Sequence, residues 1–231
     1  MKRFWAEARV VGQEGRFGVT LDGRAVKLPS GAPLAVKSAA LATGIAAEWG
    51  ALGQVFTPND LPLTQLTSTA LERVGAHRET IIGQLAAYGM NDLLCYRAET
   101  PPELVALEEE KWGVWLKWLA RTHGIELETT AGLTPIDQPA WARERFEAIL
   151  TAFSDEVIAG LGVIVPATGS LVLALALEAG RLDHERACEL AMLDELWQER
   201  QWGRDEEAAK RRAQLGGDVA AAARFMALSR G

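Results

Sequence analysis

The chain has 231 residues, 48% of them hydrophobic and 24% charged, with 24 Lys plus Arg against 31 Asp plus Glu for a formal net charge of −7. That composition excludes bulk disorder, and the length allows one large domain or two small ones, each able to bury its own core. An acidic chain without a Lys/Arg stripe is not built for nucleic acid, and Cys95 and Cys188 have neither disulfide nor zinc spacing, which fits a reducing compartment.

At the start, Lys2 and Arg3 could open a signal peptide, but Glu7 and Arg9 put charges where its apolar stretch must run. No targeting segment is therefore expected. Residues 4–11 alternate loosely and read as a strand ending in the turn cluster 12–15. Two further strands, 16–21 and 24–28, flank Asp22-Gly23, a dipeptide suited to a two-residue type I′ hairpin turn because both residues tolerate positive φ. Pro29-Ser30-Gly31 closes the hairpin, and 33–36 is long enough for one more short strand.

From Lys37 the apolar period becomes helical. Ser38 can cap a helix to about Leu52, with Leu41, Ile45, Glu48, Trp49 and Leu52 on one side. Further helices are predicted after Pro62 and over 79–90, while 93–96 reads as a strand or a helix end. Pro101-Pro102 sets up a strong helix over 103–122, with Trp112, Trp115 and Leu119 on a core stripe and Trp118 on its flank. A strand is expected at 125–129, then helices over 137–153 and 154–165, the latter ended by Pro166. Residues 170–179 are apolar all round, as in a helix buried on every side. The 161–179 stretch is interrupted by Gly162, Pro166, Gly169 and Ser170, so no membrane span is expected. The last fifty residues read as a charged helix weak at Gly203 and a final helix over 218–229.

No catalytic constellation emerges. A phosphate loop, a complete dinucleotide fingerprint and a nucleophile elbow are all missing, and His77, His123 and His184 lack partners at metal-ligand spacing. Cys95 between Leu94 and Tyr96 reads as buried. The runs 108–110 and 205–207 read as solvated helix faces, with Glu206/Lys210 and Glu207/Arg211 as i, i+4 pairs. No cofactor and no metal are expected.

One segment stands out. With residues 190–203 projected as one helix, Leu190, Leu193 and Trp197 form a packing side with Leu196 beside them, and Ala191, Glu195, Glu199 and Trp202 lie opposite. A Trp among carboxylates away from the core suits a protein-binding surface, because aromatic anchors dominate interface energetics. The competing reading has the last helix covering Trp202.

Five blocks then become familiar: residues 21–29 (LDGRAVKLP), 41–49 (LATGIAAEW), 62–66 (PLTQL) with Thr69-Ala70, 92–97 (DLLCYR), and 193–198 (LDELWQ) with Trp202-Gly203. In this order they resemble the F1-ATPase (ATP synthase catalytic head) assembly chaperones that act on the alpha subunit. The resemblance runs over residues 4–203. It implies an α+β protein: an N-terminal antiparallel β unit with helices over 1–75, then an all-α domain over 76–231 carrying the acidic-aromatic motif.

It further implies a non-enzymatic chaperone that binds the unassembled F1 alpha subunit, shields its beta-facing surface and hydrolyses no nucleotide. The client-binding residues would be Asp194, Glu195, Glu199 and Trp202, with Trp49 packing the two domains together. The protein would be a monomer without stable membrane insertion, in the bacterial cytoplasm or its counterpart, the mitochondrial matrix. Two alternatives stand beside this: an enzyme using Cys95 or the carboxylates around Asp92 in a cleft, and a generic adaptor using the Trp202 face.

Overall fold

In the computed structural model, which describes residues 1–132 and 134–231, the chain packs as two compact units. The first comprises Met1–Arg78 with two returning segments, Ser154–Gly160 and Ala221–Gly231. The second comprises Glu79–Phe153 and Leu161–Ala220. The expected division into 1–75 and 76–231 was contiguous; this one is interleaved.

In the first unit β1 (Ala8–Gln13) pairs antiparallel with β2 (Arg16–Leu21), which also carries β3 (Arg24–Ala25) and β4 (Ala35–Val36). Asp22 and Gly23 have φ of 47° and 82°, the left-handed geometry a type I′ turn requires. The Asp22 carboxylate accepts from the Ala6 and Glu7 amides at 3.0 and 2.9 Å. Residues 4–7, expected in the first strand, lie outside it: Ala6 and Glu7 are tied instead to that turn, and β1 begins only at Ala8. Likewise β3 stops at Ala25.

Helix α1 (Ala39–Ala51) packs on β1 and β2, capped by Ser38 Oγ, which accepts from Leu41 N–H at 3.0 Å. At its far end Glu48 accepts from the first amides of α2 (Pro62–Ser68), those of Leu63 and Thr64, at 2.7 and 3.1 Å. The Thr64 hydroxyl donates to Glu48 at 2.7 Å and accepts from Trp49 Nε1–H at 3.0 Å. A carboxylate at a helix N-terminus satisfies orphan amides and complements the dipole. Burial pushes the Glu48 carboxyl upward against those bonds. Trp49 packs edge-on against Trp5 and Phe56, with centroids 5.1 and 6.1 Å away. Trp5, Phe56 and Thr64, the partners of its ring and its indole N–H, belong to the first unit.

After a π-helical turn at Thr69–Val74, α3 (Gly75–Met90) kinks at His77, one residue before the first unit's leading segment ends. The 93–96 stretch is both of the alternatives its sequence allowed, a 3₁₀ turn at Leu93–Cys95 running into β5 (Tyr96–Arg97). Helix α4 (Pro102–His123) follows. The strand expected at 125–129 is absent there; β6 (Thr130–Ala131) pairs parallel with β5.

Helices α5 (Ala140–Thr151), α6 (Asp155–Thr168) and α7 (Leu171–Glu178) come next. Pro166 does not end α6. It and Gly162, the residue four earlier whose carbonyl a proline leaves unbonded, are both exposed, so solvent can take that carbonyl. Gly169, at φ 66°, is the break. Residues 171–177 of α7 are all buried, as their uniform apolarity predicts.

The acidic stretch is two helices, α8 (His184–Ala191) and α9 (Leu193–Trp202), parted at Met192 (φ −109°, ψ 22°). The last helix, α10 (Glu206–Ser229), runs through Gly216 and Gly217 instead of starting at Asp218. Small antiparallel sheet first, helices after: the fold is α+β as expected. Among the described residues no helix is long and apolar enough to cross a membrane.

Candidate functional site

The site is built on α4, β5, α8, α9 and the part of α10 before Ala221, all in the second unit. Asp183 caps α8, accepting from Arg186 N–H at 2.7 Å, and Ala187 and Leu190 of that helix are buried. At the break the Leu190 carbonyl accepts from the indole N–H of Trp112, itself buried on α4, at 2.8 Å. Helix α9 starts in a new phase and buries no residue completely. The single wheel drawn through 190–203 therefore does not hold across Met192.

The four expected site residues separate into three environments. Asp194 turns one oxygen inward: its Oδ1 is buried without a hydrogen-bond partner, as are Oε1 of Glu108 and Nε and Nη2 of Arg97. Glu195 and Glu199 face α10. Arg212 pairs with Glu199 and lies 3.5 Å from Glu195, and Arg211 lies 3.7 Å from Glu195. Arg211 thus reaches across to α9 rather than pairing with Glu207 as expected. Trp202 is 75% exposed, touching Trp197 edge-on at 6.0 Å. The last helix pairs with the two carboxylates, leaving Glu195 about half exposed, and does not cover the indole, so the reading in which it covers Trp202 is not what the structure has.

Sequence reasoning missed Glu108, read as part of a solvated run. It stands four residues after Leu104 and four before Trp112, in line with the buried stripe of α4, and its exposure is 0%. That spacing was the available signal. Arg97 was also missed as a site residue. Its side chain is 9% exposed, its Nη1 donates to the Glu108 backbone carbonyl at 2.8 Å, and its guanidinium lies 5.2 Å from the Trp112 ring centroid.

The residues on which an enzyme reading depended are occupied otherwise. Asp92 is fully buried, accepting from Leu94 N–H at 3.1 Å and from Val172 N–H, in the first turn of α7, at 2.9 Å. Burial drives its carboxyl up to about 6 despite those bonds. Cys95 is buried, its thiol pushed up to about 12 by desolvation and then by the charge of Asp92, far from the thiolate a nucleophile needs. An apolar groove of about 510 Å³ between α3 and Gly169 is lined by Tyr88, Leu93 and Tyr96, with neither Asp92 nor Cys95 among its lining.

A helix end with an open indole above arginine-paired carboxylates, on an α+β body, defines a protein with a surface suited to protein contact. Known proteins place it more narrowly. Residues 2–120 match the family described as ATP12 chaperone protein. The mitochondrial protein atp12 of Schizosaccharomyces pombe is 29% identical over 219 residues, covering 90% of this chain and 75% of the relative. The crystal structure of Atp12 from Paracoccus denitrificans is 35% identical with a TM-score of 0.94, covering 99% and 98% of the two chains. A solved structure from Agrobacterium tumefaciens is 34% identical with a TM-score of 0.93, covering 100% of this chain and 86% of the other. The chain belongs to the ATP12 chaperone family, the F1-ATPase assembly chaperones its sequence blocks resemble.

Proposed function

We propose that this chaperone binds the unassembled alpha subunit of F1 and shields its beta-facing surface, without hydrolysing nucleotide. The contact is the outer face of α9, with Trp202 as the anchor and Glu195 and Glu199 as its acidic flank. Asp194, with its Oδ1 buried, lies behind that face. The observation that carries this reading is the exposure of Trp202: a large indole left 75% open is costly unless a partner covers it. Its setting is the bacterial cytoplasm, the counterpart of the mitochondrion for which the fission-yeast relative is named, and it works as a monomer.

The test is co-purification with separately expressed alpha and beta subunits, with and without ATP. Selective capture of alpha, indifferent to ATP and released by beta, is the expected result. Glu195→Lys and Trp202→Ala should each weaken capture at least tenfold while leaving the circular-dichroism spectrum unchanged. Alpha bound as tightly by both variants as by wild type would remove α9 from the interface, and capture of neither subunit would return the Trp202 face to an adaptor role.

A further inference from the structure

Arg97 is a cation taken out of water, its side chain 9% exposed, and such a group needs acceptors for its N–H groups. Nη1 donates to the Glu108 backbone carbonyl at 2.8 Å, while Nε and Nη2 are buried without a hydrogen-bond partner. Among the described residues the acid in ion-pair range is Glu109, 3.9 Å from Nη2. That carboxylate is 65% exposed and is shared with Lys117 at 3.8 Å, too distant and too solvated to offset the burial of a charge.

Two acceptors are in the same position. Among the described residues four buried side-chain atoms lack a partner: Nε and Nη2 of Arg97, Oε1 of Glu108 and Oδ1 of Asp194. Two donors of one cation and two oxygens of two acids match in number, in kind and in sign of charge. They also sit on segments that other contacts join. Glu108 binds residues 97 and 98 twice, its carbonyl accepting from Arg97 and its Oε2 from Ala98 N–H at 2.8 Å. The guanidinium lies 5.2 Å from the centroid of the Trp112 ring, and the Trp112 indole donates at 2.8 Å to the carbonyl of Leu190, just before the break at Met192. Asp194 stands in the first turn after that break.

We infer that Arg97 is the positioning residue of α9. From β5 it holds the Trp112 ring and the Glu108 carbonyl, Trp112 fixes the last turn of α8, and the remaining guanidinium N–H groups serve the inward oxygens of Glu108 and Asp194. Helix α9 buries no residue completely, so the place where it starts is set by polar contacts such as these. The electrostatics agree in direction. Burial pushes the guanidinium down from its ordinary value, and Glu109, Glu108 and Asp194 are among the charges that oppose it. Burial likewise lifts the Glu108 carboxyl, and Arg97 is the cation that pulls it back.

Arg212 is the rival holder of α9. It pairs with Glu199, later in the helix, so the two arginines act on different turns. Loss of Arg97 should loosen the first turn of α9, and loss of Arg212 the later ones. The inference concerns how α9 is held, so it stands or falls independently of what α9 binds.

The first test is ¹⁵N-arginine NMR on the wild-type protein. The Arg97 Nε–H should exchange with water at least a hundredfold more slowly than that of the exposed Arg24, and its resonance should move in both Asp194→Asn and Glu108→Gln. Fast exchange in wild type, or a resonance that neither variant moves, overturns the inference. The second test is amide exchange in Arg97→Gln, which removes the charge, and Arg97→Lys, which keeps it without the fork. Protection at the start of α9 should fall at least tenfold in Arg97→Gln and be partly restored in Arg97→Lys, while the α7 amides stay within about threefold of wild type. Equal loss in α7 and α9 makes Arg97 a general core residue and overturns the inference. Adding Asp194→Asn to Arg97→Gln should cost less than twofold more, although Asp194→Asn alone costs at least fivefold; effects that multiply in full overturn it as well.

Discussion

Arg211 and Arg212 are neighbours on α10, yet they should behave differently when removed. The Arg212 side chain is 14% exposed and serves Glu199, itself 22% exposed, as well as Glu195; Arg211 is 68% exposed and reaches only Glu195. At 3.5 Å two unit charges attract by about 5 kcal/mol at an effective dielectric of 20 and by about 1 kcal/mol at 80. Desolvation and side-chain ordering cancel most of the larger figure, leaving a net coupling of about 1–2 kcal/mol for the Arg212 pair and below about 0.5 for the exposed one. Arg212→Ala should therefore destabilise by about 1–2 kcal/mol in urea unfolding followed by circular dichroism, and Arg211→Ala by less than about 0.5. A double-mutant cycle of Arg212→Ala with Glu199→Gln should recover about 1 kcal/mol of coupling, weakening between about 0.05 and 0.5 M salt. Equal costs for the two arginines, or a coupling below about 0.3 kcal/mol, would refute the claim that burial decides which pair holds α9.

Two other outcomes follow from the same packing. A Cβ on Gly89 of α3 would meet Cε2, Cδ2 and Cζ of the fully buried Phe146 at 2.5, 2.7 and 2.9 Å, so overpacking should outweigh the gain in helix propensity of about 1 kcal/mol. Gly217 of α10 has nothing within 4 Å of such a Cβ, so Gly217→Ala should stabilise by about 1 kcal/mol while Gly89→Ala destabilises by about 1–2; thermal melts showing the same sign for both would contradict the packing. Asp92, raised to about 6, keeps its proton in the folded state where the unfolded chain, near 3.9, has released it, so its contribution falls as pH rises from 4 to 6. In Asp92→Asn the stability profile across that window should be shallower by about 1.4 kcal/mol per pH unit, measured by urea unfolding at each pH.

Much of the fold was legible because its signals are local. Asp22-Gly23, Ser38 before α1, Pro62 and Pro102 at helix starts, and the uniform apolarity of 171–177 each act through backbone preference or a neighbour in sequence. The misses are long-range. Pro166 reads as a stop until Gly162 is seen on the same exposed side of the helix, and Gly216-Gly217 reads as a break until the residues after it are seen buried: Val219, Ala222, Phe225 and Met226. At the candidate site the outward placement of Trp202 was readable, whereas the inward turn of Asp194 was not, because it depends on a helix break at Met192. Arg211 was read as a partner of Glu207 within its own helix, yet it reaches Glu195 on α9.

The blocks that carry the family resemblance also divide by physical role. Asp22 binds the amides of residues 6 and 7, Glu48 and Trp49 meet Thr64 at the start of α2, and Asp92 caps the start of α7. Each is a polar side chain completing the backbone of a distant segment, a role Ala or Leu cannot fill, and so each constrains sequence without facing a partner. The C-terminal block differs. Helix α9 has no fully buried residue, so apolar packing alone fixes it weakly, and polar contacts supply much of its position: Glu199 and Glu195 reach across to Arg212. A helix held in this way can present Trp202 in a defined place and still be moved by a change of charge. For a chaperone that must hold its client and then give it up, charge is the lever this surface offers: a partner bringing its own basic groups to Glu195 and Glu199 competes directly with Arg212. Removing Arg212 should then tighten capture of such a client even as it destabilises the chaperone, a pairing of opposite effects that a purely structural arginine would not produce.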